Sequence, residues 1–198
     1  MDTILIAGLG NPGPQYRGTW HNLGYRAVEK LAAYFSLDFR PGKGQYLLAE
    51  KHYAGRDIIL LKPTCYMNLS GLPILQVVEK EDLFHENILI ICDDINLPLG
   101  KLRLRAKGSD GGQKGLASVI YYLGTDDVPR LRLGISTARE DLELKDYVLS
   151  EIREKYILAV EDMLNRALDA ALCFITEGLN QAMTRFNAPL AEVENEEK

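Results

Sequence analysis

The sequence has few of the residues that build metal centres and disulfide frameworks. It contains three cysteines and three histidines in 198 residues. Cys65, Cys92 and Cys173 are scattered, odd in number and without the close spacing of metal-binding or redox motifs. We therefore expect reduced thiols, as in a cytoplasmic protein, and neither a metal nor an organic cofactor.

Long apolar runs are also absent, and no stretch approaches the roughly 20 residues that a membrane-spanning helix needs. The N-terminus lacks the basic and then apolar segments of a secretory signal. We therefore expect a cytoplasmic location and no membrane partner. Two common hydrolase signatures are missing as well, the Gly-x-Ser-x-Gly nucleophile elbow and the His-Glu-x-x-His zinc helix.

The charge is acidic overall but unevenly distributed. The net charge is −5, of which the last seven residues, with four glutamates and one lysine, contribute −3. Residues 101–115 instead hold five basic side chains against Asp110 alone, a local charge of +4. A local basic patch can bind phosphate on a globally acidic protein, so the overall sign does not exclude a nucleic-acid partner.

Short β-branched runs alternate with helical periodicity, which predicts an α/β fold. The predicted strands are 4–7, 46–49, 58–61, 88–92, 101–105 and 130–135, and the predicted helices are 22–36, 70–83, 115–123, 151–175 and 178–186. A turn at 54–57 predicts a hairpin, so we expect a mixed, mostly parallel sheet flanked by helices. We predict one domain over 1–187 that ends in a helical segment, followed by an acidic disordered tail over 188–198.

A glycine- and proline-rich loop, Gly8-Leu9-Gly10-Asn11-Pro12-Gly13, follows the first predicted strand. Such a loop at the carboxyl end of a strand is where open α/β proteins bind ligands. It also matches the G-x-G-x-x-G fingerprint, so a dinucleotide site is one alternative. Pro12 and Pro14 oppose that alternative, because they lie where free backbone N–H groups should meet a pyrophosphate. The acidic Glu29 also lies inside a predicted helix rather than after a second strand.

Polar side chains at the ends of predicted strands can converge if those strands are parallel. His21 lies in the first loop, and Asp93 follows the 88–92 strand. An aspartate in that position can orient an imidazole in the tautomer that accepts a proton, and such a pair would most simply activate water. Structural roles stay open for both residues, as a histidine at a helix start and as an aspartate in a turn.

A second glycine-rich loop, Gly108-Ser109-Asp110-Gly111-Gly112-Gln113-Lys114-Gly115, superficially resembles a phosphate-binding P-loop. It departs from that motif because Gly, rather than Ser or Thr, follows the lysine. We interpret it as a flexible loop whose amides and Lys114 meet a phosphate or a ribose. A plain turn between strand and helix is the alternative.

Four blocks, in order along the chain, resemble the bacterial peptidyl-tRNA hydrolase family. They are Gly8–Gly13 with Tyr16 and Thr19-x-His21-Asn22, then Lys62-Pro63-Thr64-x-Tyr66-Met67-Asn68-Leu69-Ser70-Gly71, then Asp93-Asp94-Ile95-x-Leu97-Pro98-x-Gly100, and Gly111-Gly112-x-x-Gly115-Leu116 with Arg130-Leu131-Arg132. The resemblance extends over residues 3–186.

The resemblance implies hydrolysis of the ester that joins a peptide to the terminal ribose of tRNA. It makes His21 the general base and Asp93 the residue that stabilises its proton-accepting form. It gives Asn11 a part in distinguishing peptidyl-tRNA from aminoacyl-tRNA. The substrate groove would be lined by Tyr16, Tyr66 and Asn68, and backbone phosphates would meet Arg103, Arg105 and Arg132. The expected protein is a monomer with peptidyl-tRNA as its partner, and the alternative is a non-catalytic RNA-binding relative.

The sequence departs from the family pattern beside two of these positions. Trp20 stands where the family usually has Arg, and Gln113 with Lys114 where it usually has His-Asn. A lysine only donates hydrogen bonds and carries a full charge, whereas an asparagine both donates and accepts. We therefore expect Lys114 to lie against a phosphate rather than to orient a reacting group.

Overall fold

The computed structural model describes residues 3–137 and 143–188. Its strands are β1 Thr3–Gly8, β2 Arg40–Pro41, β3 Tyr46–Tyr53, β4 Arg56–Pro63, β5 Ile88–Pro98, β6 Leu102–Arg105 and β7 Arg130–Ser136. Its α-helices are α1 Leu23–Tyr34, α2 Gly71–Lys80, α3 Lys114–Leu123, α4 Leu144–Leu149, α5 Ile157–Glu177 and α6 Leu179–Phe186. Residues 189–198, nearly all of the predicted tail, lie outside the described residues.

The strands form one seven-stranded sheet in the order β2-β3-β4-β1-β5-β7-β6. The four central strands are parallel, since β1 pairs with β4 and β5, and β5 pairs with β7. The outer strands are antiparallel, with β3 on β4, β2 on β3 and β6 on β7. The predicted mixed, mostly parallel sheet in a single α/β domain is confirmed.

Helices cover both faces of the sheet. One apolar cluster joins Ile4 and Ile6 of β1 to buried residues of α1, α5 and α6. The other joins Leu5 and Ala7 to buried residues of α2 and α3. This double coverage explains why the central strands are continuous apolar runs rather than alternating ones. None of the helices in the described part of the chain is long and apolar enough to cross a membrane.

The fifth strand is longer than the predicted 88–92 segment. It continues through Asp93 and Asp94, which pair with Leu133 and Gly134 of β7, and ends at Pro98 after an irregularity. A Cβ on Gly134 would lie 2.1 Å from the Pro98 carbonyl oxygen, so only glycine admits this close approach. The two aspartates therefore lie on a strand, which opposes the alternative that they are simple turn residues.

Other differences concern helix bounds. The long C-terminal helix begins at Ile157 rather than at residue 151, because a 3-10 turn at Glu154–Tyr156 precedes it. Helix α4 is absent from the predicted elements, since six residues are too few to show helical periodicity. Both differences lie in the segment that runs beside the carboxyl edge of the sheet.

Cys92 should be chemically inert in the native protein. Its side chain is buried, and burial, with a further contribution from the Asp93 carboxylate, raises the pKa of the thiol to about 12. At pH 8 only about one ten-thousandth of the thiol would be ionised, and the thiolate is the reactive form. We expect Cys92 to be alkylated only after unfolding, measured by peptide mass mapping with and without denaturant. Labelling of folded protein at the rate of a free thiol would contradict this burial.

Candidate active site

A groove of about 600 Å³ lies at the carboxyl edge of the parallel strands. Its walls come from the loops after β1 and β4, the end of β5, the loop before α3 and helix α4. The groove therefore lies where parallel α/β sheets bind ligands. Seven predicted site residues line it, namely Asn11, Tyr16, His21, Tyr66, Asn68, Asp93 and Lys114.

His21 and Asp93 form a buried pair at the base of the groove. Nδ1 of His21 lies 3.0 Å from Oδ1 and 2.9 Å from Oδ2 of Asp93. The side chains are 11% and 3% exposed. Because a carboxylate can only accept, we assign the ring proton to Nδ1, which leaves the Nε2 lone pair free. Nε2 makes no hydrogen bond to any described residue.

Gly24 sets how closely His21 approaches the sheet. A Cβ at this position would lie 2.4 Å from the Ile91 carbonyl oxygen and 2.5 Å from the backbone of Leu9. Without a side chain, the first turn of α1 lies directly on β1 and β5. The 3-10 turn Trp20–Asn22 immediately before it is thereby brought over the end of β5, beside Asp93.

Hydrogen bonds fix the position of Asn11 and leave its side-chain NH₂ group without a partner among the described residues. Its backbone N–H donates to Asn22 Oδ1 at 2.8 Å, and Asn22 Nδ2 donates back to the Asn11 carbonyl at 2.9 Å. The Asn11 side-chain oxygen accepts from the Met67 N–H at 2.8 Å. Its Nδ2 group has no partner among the described residues and lies in the groove wall. The Asn11 side chain, with this free donor, and the imidazole therefore line the same groove.

Gln113 belongs to the site although it was not predicted as a site residue. Its Nε2 donates to Asp93 Oδ1 at 2.9 Å and lies 3.4 Å from the Met67 sulfur. Its Oε1 accepts from the Leu116 N–H at 2.8 Å, which caps α3. The sequence offers one indication that Gln113 belongs to the site. Gln113 lies at the start of a predicted helix, at a position where the family usually has a histidine. Asn22 was likewise missed, although it directly follows His21.

The second glycine-rich loop is anchored by side chains of the neighbouring strands. The Arg130 side chain donates to the Gly108 carbonyl at 2.5 Å, and Arg132 donates to the Ser109 carbonyl at 2.6 Å. Asn96 Nδ2 donates to the Gly111 carbonyl at 3.2 Å. Three contacts to β5 and β7 thus anchor the loop, which favours a more ordered loop than the flexible one predicted.

The three arginines predicted to contact phosphate occupy two different environments. Arg132 forms an ion pair with Asp94 at 3.0 Å, and both side chains are almost buried, at 13% and 6% exposed. Arg103 and Arg105 are exposed on the edge strand β6 and form no ion pair with any described residue. None of the three lines the groove. The structure therefore separates Arg132 from the two exposed arginines.

Helix α4 forms an apolar wall of the groove through Leu144, Val148 and Leu149. Trp20 is buried beneath this helix and stacks on Tyr147, with ring centroids 5.8 Å apart and planes at 14°. Aromatic stacking of this kind adds to the energy of burial. The departure at position 20 thus attaches α4 to the turn that carries His21.

Among residues 3–137 and 143–188, no three or more His, Cys, Asp or Glu side chains lie close enough together to hold a metal ion. What the groove offers is an imidazole with a free lone pair, a buried carboxylate behind it and an amide donor. These are the elements of a hydrolase that activates water by general-base catalysis.

Comparison with known proteins assigns the chain to one family of hydrolases. The family model for peptidyl-tRNA hydrolase matches residues 5–196. The peptidyl-tRNA hydrolase of Pelodictyon phaeoclathratiforme is 44% identical over 187 residues, which cover 94% of this chain and 98% of that protein. That of Chlorobaculum parvum is 41% identical over 190 residues, covering 94% and 99%. The chain belongs to the peptidyl-tRNA hydrolase family.

Solved structures agree with this assignment. The crystal structure of peptidyl-tRNA hydrolase from Acinetobacter baumannii superimposes with a TM-score of 0.87 at 29% identity, covering 94% of this chain and 95% of that one. A 5′-methylthioadenosine nucleosidase from Arabidopsis thaliana reaches a TM-score of 0.51 at 9% identity, covering 88% and 96%. The nucleosidase shares the fold alone.

Because Arg132 is buried and paired whereas Arg103 is exposed, the same substitution should change the stability of the protein at one position and not at the other. Arg132→Gln leaves the buried Asp94 carboxylate without its charged partner and should destabilise the protein by about 3 kcal/mol. Arg103→Gln is the matched control, because Arg103 is the register neighbour of Arg132 on β6 but is exposed. We expect its melting temperature to equal that of the wild type. Equal melting temperatures for both variants would show that the Arg132–Asp94 ion pair does not stabilise the fold.

Proposed function

We propose that this protein hydrolyses the ester bond between a peptide and the terminal ribose of tRNA, and so recycles tRNA from prematurely released peptidyl-tRNA. The observation that supports this most directly is the buried His21–Asp93 pair, whose free Nε2 faces a groove. Membership of the peptidyl-tRNA hydrolase family supplies the substrate class. The non-catalytic RNA-binding alternative is not favoured, since Asn11, His21 and Asp93 all line one groove.

In this mechanism His21 Nε2 takes a proton from a water molecule in the groove, while Asp93 holds the Nδ1 proton and stabilises the imidazolium that forms. The water oxygen bonds to the ester carbonyl carbon, and the carbonyl oxygen becomes an oxyanion. The free Nδ2 of Asn11 is positioned to donate to the substrate in this groove. When the tetrahedral intermediate collapses, the bond to the ribose oxygen breaks and His21 returns the proton to that oxygen.

The walls of the groove suggest where each half of the substrate binds. Tyr16, Tyr66 and Asn68 offer hydrogen-bonding and stacking groups near the imidazole, and we assign them to the substrate. The apolar side of α4 is suited to the side chains of the peptide. Tyr66 is 59% exposed, which suits a residue that becomes covered only when substrate binds.

Arg103, Arg105 and Lys114 are the basic groups that we assign to tRNA phosphates. All three are exposed and form no ion pair with a described residue, so they can exchange counterions for phosphate. Such contacts supply affinity without sequence readout. We assign Arg132 a supporting part, since its guanidinium is already bonded to Asp94 and to the Ser109 carbonyl.

We propose that the protein acts as a monomer with peptidyl-tRNA as its partner. Because peptidyl-tRNA arises during translation, we place the reaction in the cytoplasm.

Replacing the proposed base should remove turnover and spare binding. His21→Ala should lower kcat by about 10²–10⁴-fold, the usual contribution of a general base, while tRNA affinity stays near that of the wild type. The measurement is release of peptide from N-blocked aminoacyl-tRNA, with free-amine aminoacyl-tRNA as the substrate control. His52→Ala is a matched control, because His52 lies 2.8 Å from Asp57 in an exposed His–Asp pair outside the groove.

Two results would refute this proposal. Undiminished turnover by His21→Ala would end the assignment of the base. No release by the wild type, despite tight tRNA binding, would instead identify a non-catalytic RNA-binding relative.

Lys114 should contribute to binding rather than to chemistry. Lys114→Ala should raise KM and leave kcat within a few-fold, and loss of one phosphate contact should lower the salt slope of binding by about one unit. The comparison is kcat and KM across a salt series for wild type, Lys114→Ala and Lys114→Asn. If Lys114→Ala loses kcat as heavily as His21→Ala, at unchanged KM and salt slope, Lys114 takes part in the reaction instead.

A further inference from the structure

We propose that Gln113 is a positioning residue that holds the Asp93 carboxylate in place behind His21, in addition to capping α3. The inference rests on the proposed function, because it concerns the same general base. It starts from a residue that departs from the family's usual histidine and that nevertheless bonds directly to the buried aspartate.

The two partners of Gln113 determine which way its amide points. The Leu116 backbone N–H can only donate, so the group 2.8 Å from it must be the oxygen. The Asp93 carboxylate can only accept, so the group 2.9 Å from it must be the NH₂. Both contacts require the same orientation. A glutamine in this place therefore acts as a defined donor toward Asp93, and rotation of its amide would break both bonds.

The cap alone does not account for a glutamine here. Short side chains, those of Ser, Thr, Asp and Asn, are the preferred helix N-caps. The longer side chain of Gln113 caps the helix and also reaches Asp93, and it is buried at 7% exposed. The additional length is used for the contact with the carboxylate.

Asp93 needs a second donor. Both of its oxygens lie near the single Nδ1 proton of His21, at 2.9 and 3.0 Å. Among the described residues, Gln113 is the other group that donates to this side chain. A buried carboxylate with one shared proton is poorly compensated, and it can rotate. Gln113 donates a second hydrogen bond that fixes the rotation of the carboxylate, which keeps its oxygens on the Nδ1 side of His21.

The position of Gln113 is itself fixed by the preceding loop. Arg130 and Arg132 of β7 hold the carbonyls of Gly108 and Ser109, and the Gln113 N–H donates to the Asp110 carbonyl at 3.2 Å. The donor thus approaches Asp93 from a rigid segment. It also keeps its form at every working pH, because an amide does not titrate in that range.

Two substitutions separate positioning from capping. Gln113→Glu keeps the length and can still accept from the Leu116 N–H, but an ionised carboxylate cannot donate to Asp93. Gln113→Asn keeps an amide and a favoured cap without adding charge, but it is one methylene shorter and withdraws the donor. Gln76→Glu, the same change at an exposed position of α2, controls for added charge.

We expect both Gln113 variants to lose about 10- to 100-fold in kcat, the loss found when partners that orient metal ligands are removed. KM should stay within about twofold, since Gln113 positions the base rather than the substrate. Gln113→Asn should lower the melting temperature by only a few degrees because the cap is kept, whereas Gln113→Glu should melt lower because it places a second carboxylate beside the buried Asp93. Gln113→His, whose neutral ring can accept on one nitrogen and donate on the other, should restore kcat to within a few-fold.

A spectroscopic measurement tests the same inference without substrate. The ¹⁵N shifts of His21 should report the Nδ1–H tautomer in the wild type, as its contacts with Asp93 require. In Gln113→Asn and Gln113→Glu, which withdraw the donor from Asp93, the His21 signals should move away from their wild-type positions. Peptide-release assays and ¹⁵N spectra would be recorded for wild type, the three Gln113 variants and Gln76→Glu.

The two measurements distinguish failure of this inference from failure of the proposed function. If the wild type releases peptide, while Gln113→Glu and Gln113→Asn keep its kcat and its ¹⁵N spectrum, Gln113 is only a helix cap. If neither the wild type nor any variant releases peptide, but the His21 signals shift in the uncharged Gln113→Asn variant, the positioning role stands and the hydrolase proposal fails.

Discussion

The carboxylate of Asp93 is the group on which the site depends. It is 3% exposed, and a buried charge is tolerated only where hydrogen-bond donors replace the lost water. Those donors come from distant parts of the chain, from His21 before α1 and from Gln113 before α3. Satisfying one carboxylate therefore brings together loops that are 92 residues apart in sequence. The same contacts that stabilise the charge also set the direction of the imidazole lone pair.

Much of the fold could be predicted because it depends on local patterns. The buried strands are apolar on both faces, the hairpin is marked by its turn, and parallel strands place their following loops at one edge. Those regularities were enough to expect that His21 and Asp93 would converge, and the structure places them 2.9 Å apart. The extension of β5 to Pro98 could not be predicted, since it depends on pairing with β7 across an irregularity.

Two features of the site that local sequence patterns do not show share a physical cause. Arg103 and Arg132 look alike in sequence, because both alternate with leucines on short strands. Their environments differ because β6 is an edge strand, whereas β7 lies between β5 and β6 and faces Asp94. Gln113 was overlooked for a related reason. Its importance comes from a contact with Asp93, 20 residues away, and no local pattern indicates such a contact.

The adjacent aspartates of β5 connect the His21 pair to the surface that we propose for tRNA binding. Successive strand residues point to opposite faces, so Asp93 meets His21 on one face while Asp94 meets Arg132 on the other. Arg132 holds one end of the second glycine-rich loop at Ser109, and Gln113, at its other end, returns to Asp93. Both ends of the loop are thereby fixed to one dipeptide. Because Lys114 directly follows Gln113, the charge that we propose for phosphate binding is placed relative to the same strand that orients the proposed base. In this arrangement a tRNA placed by its backbone would meet the imidazole at a fixed distance without any readout of base sequence.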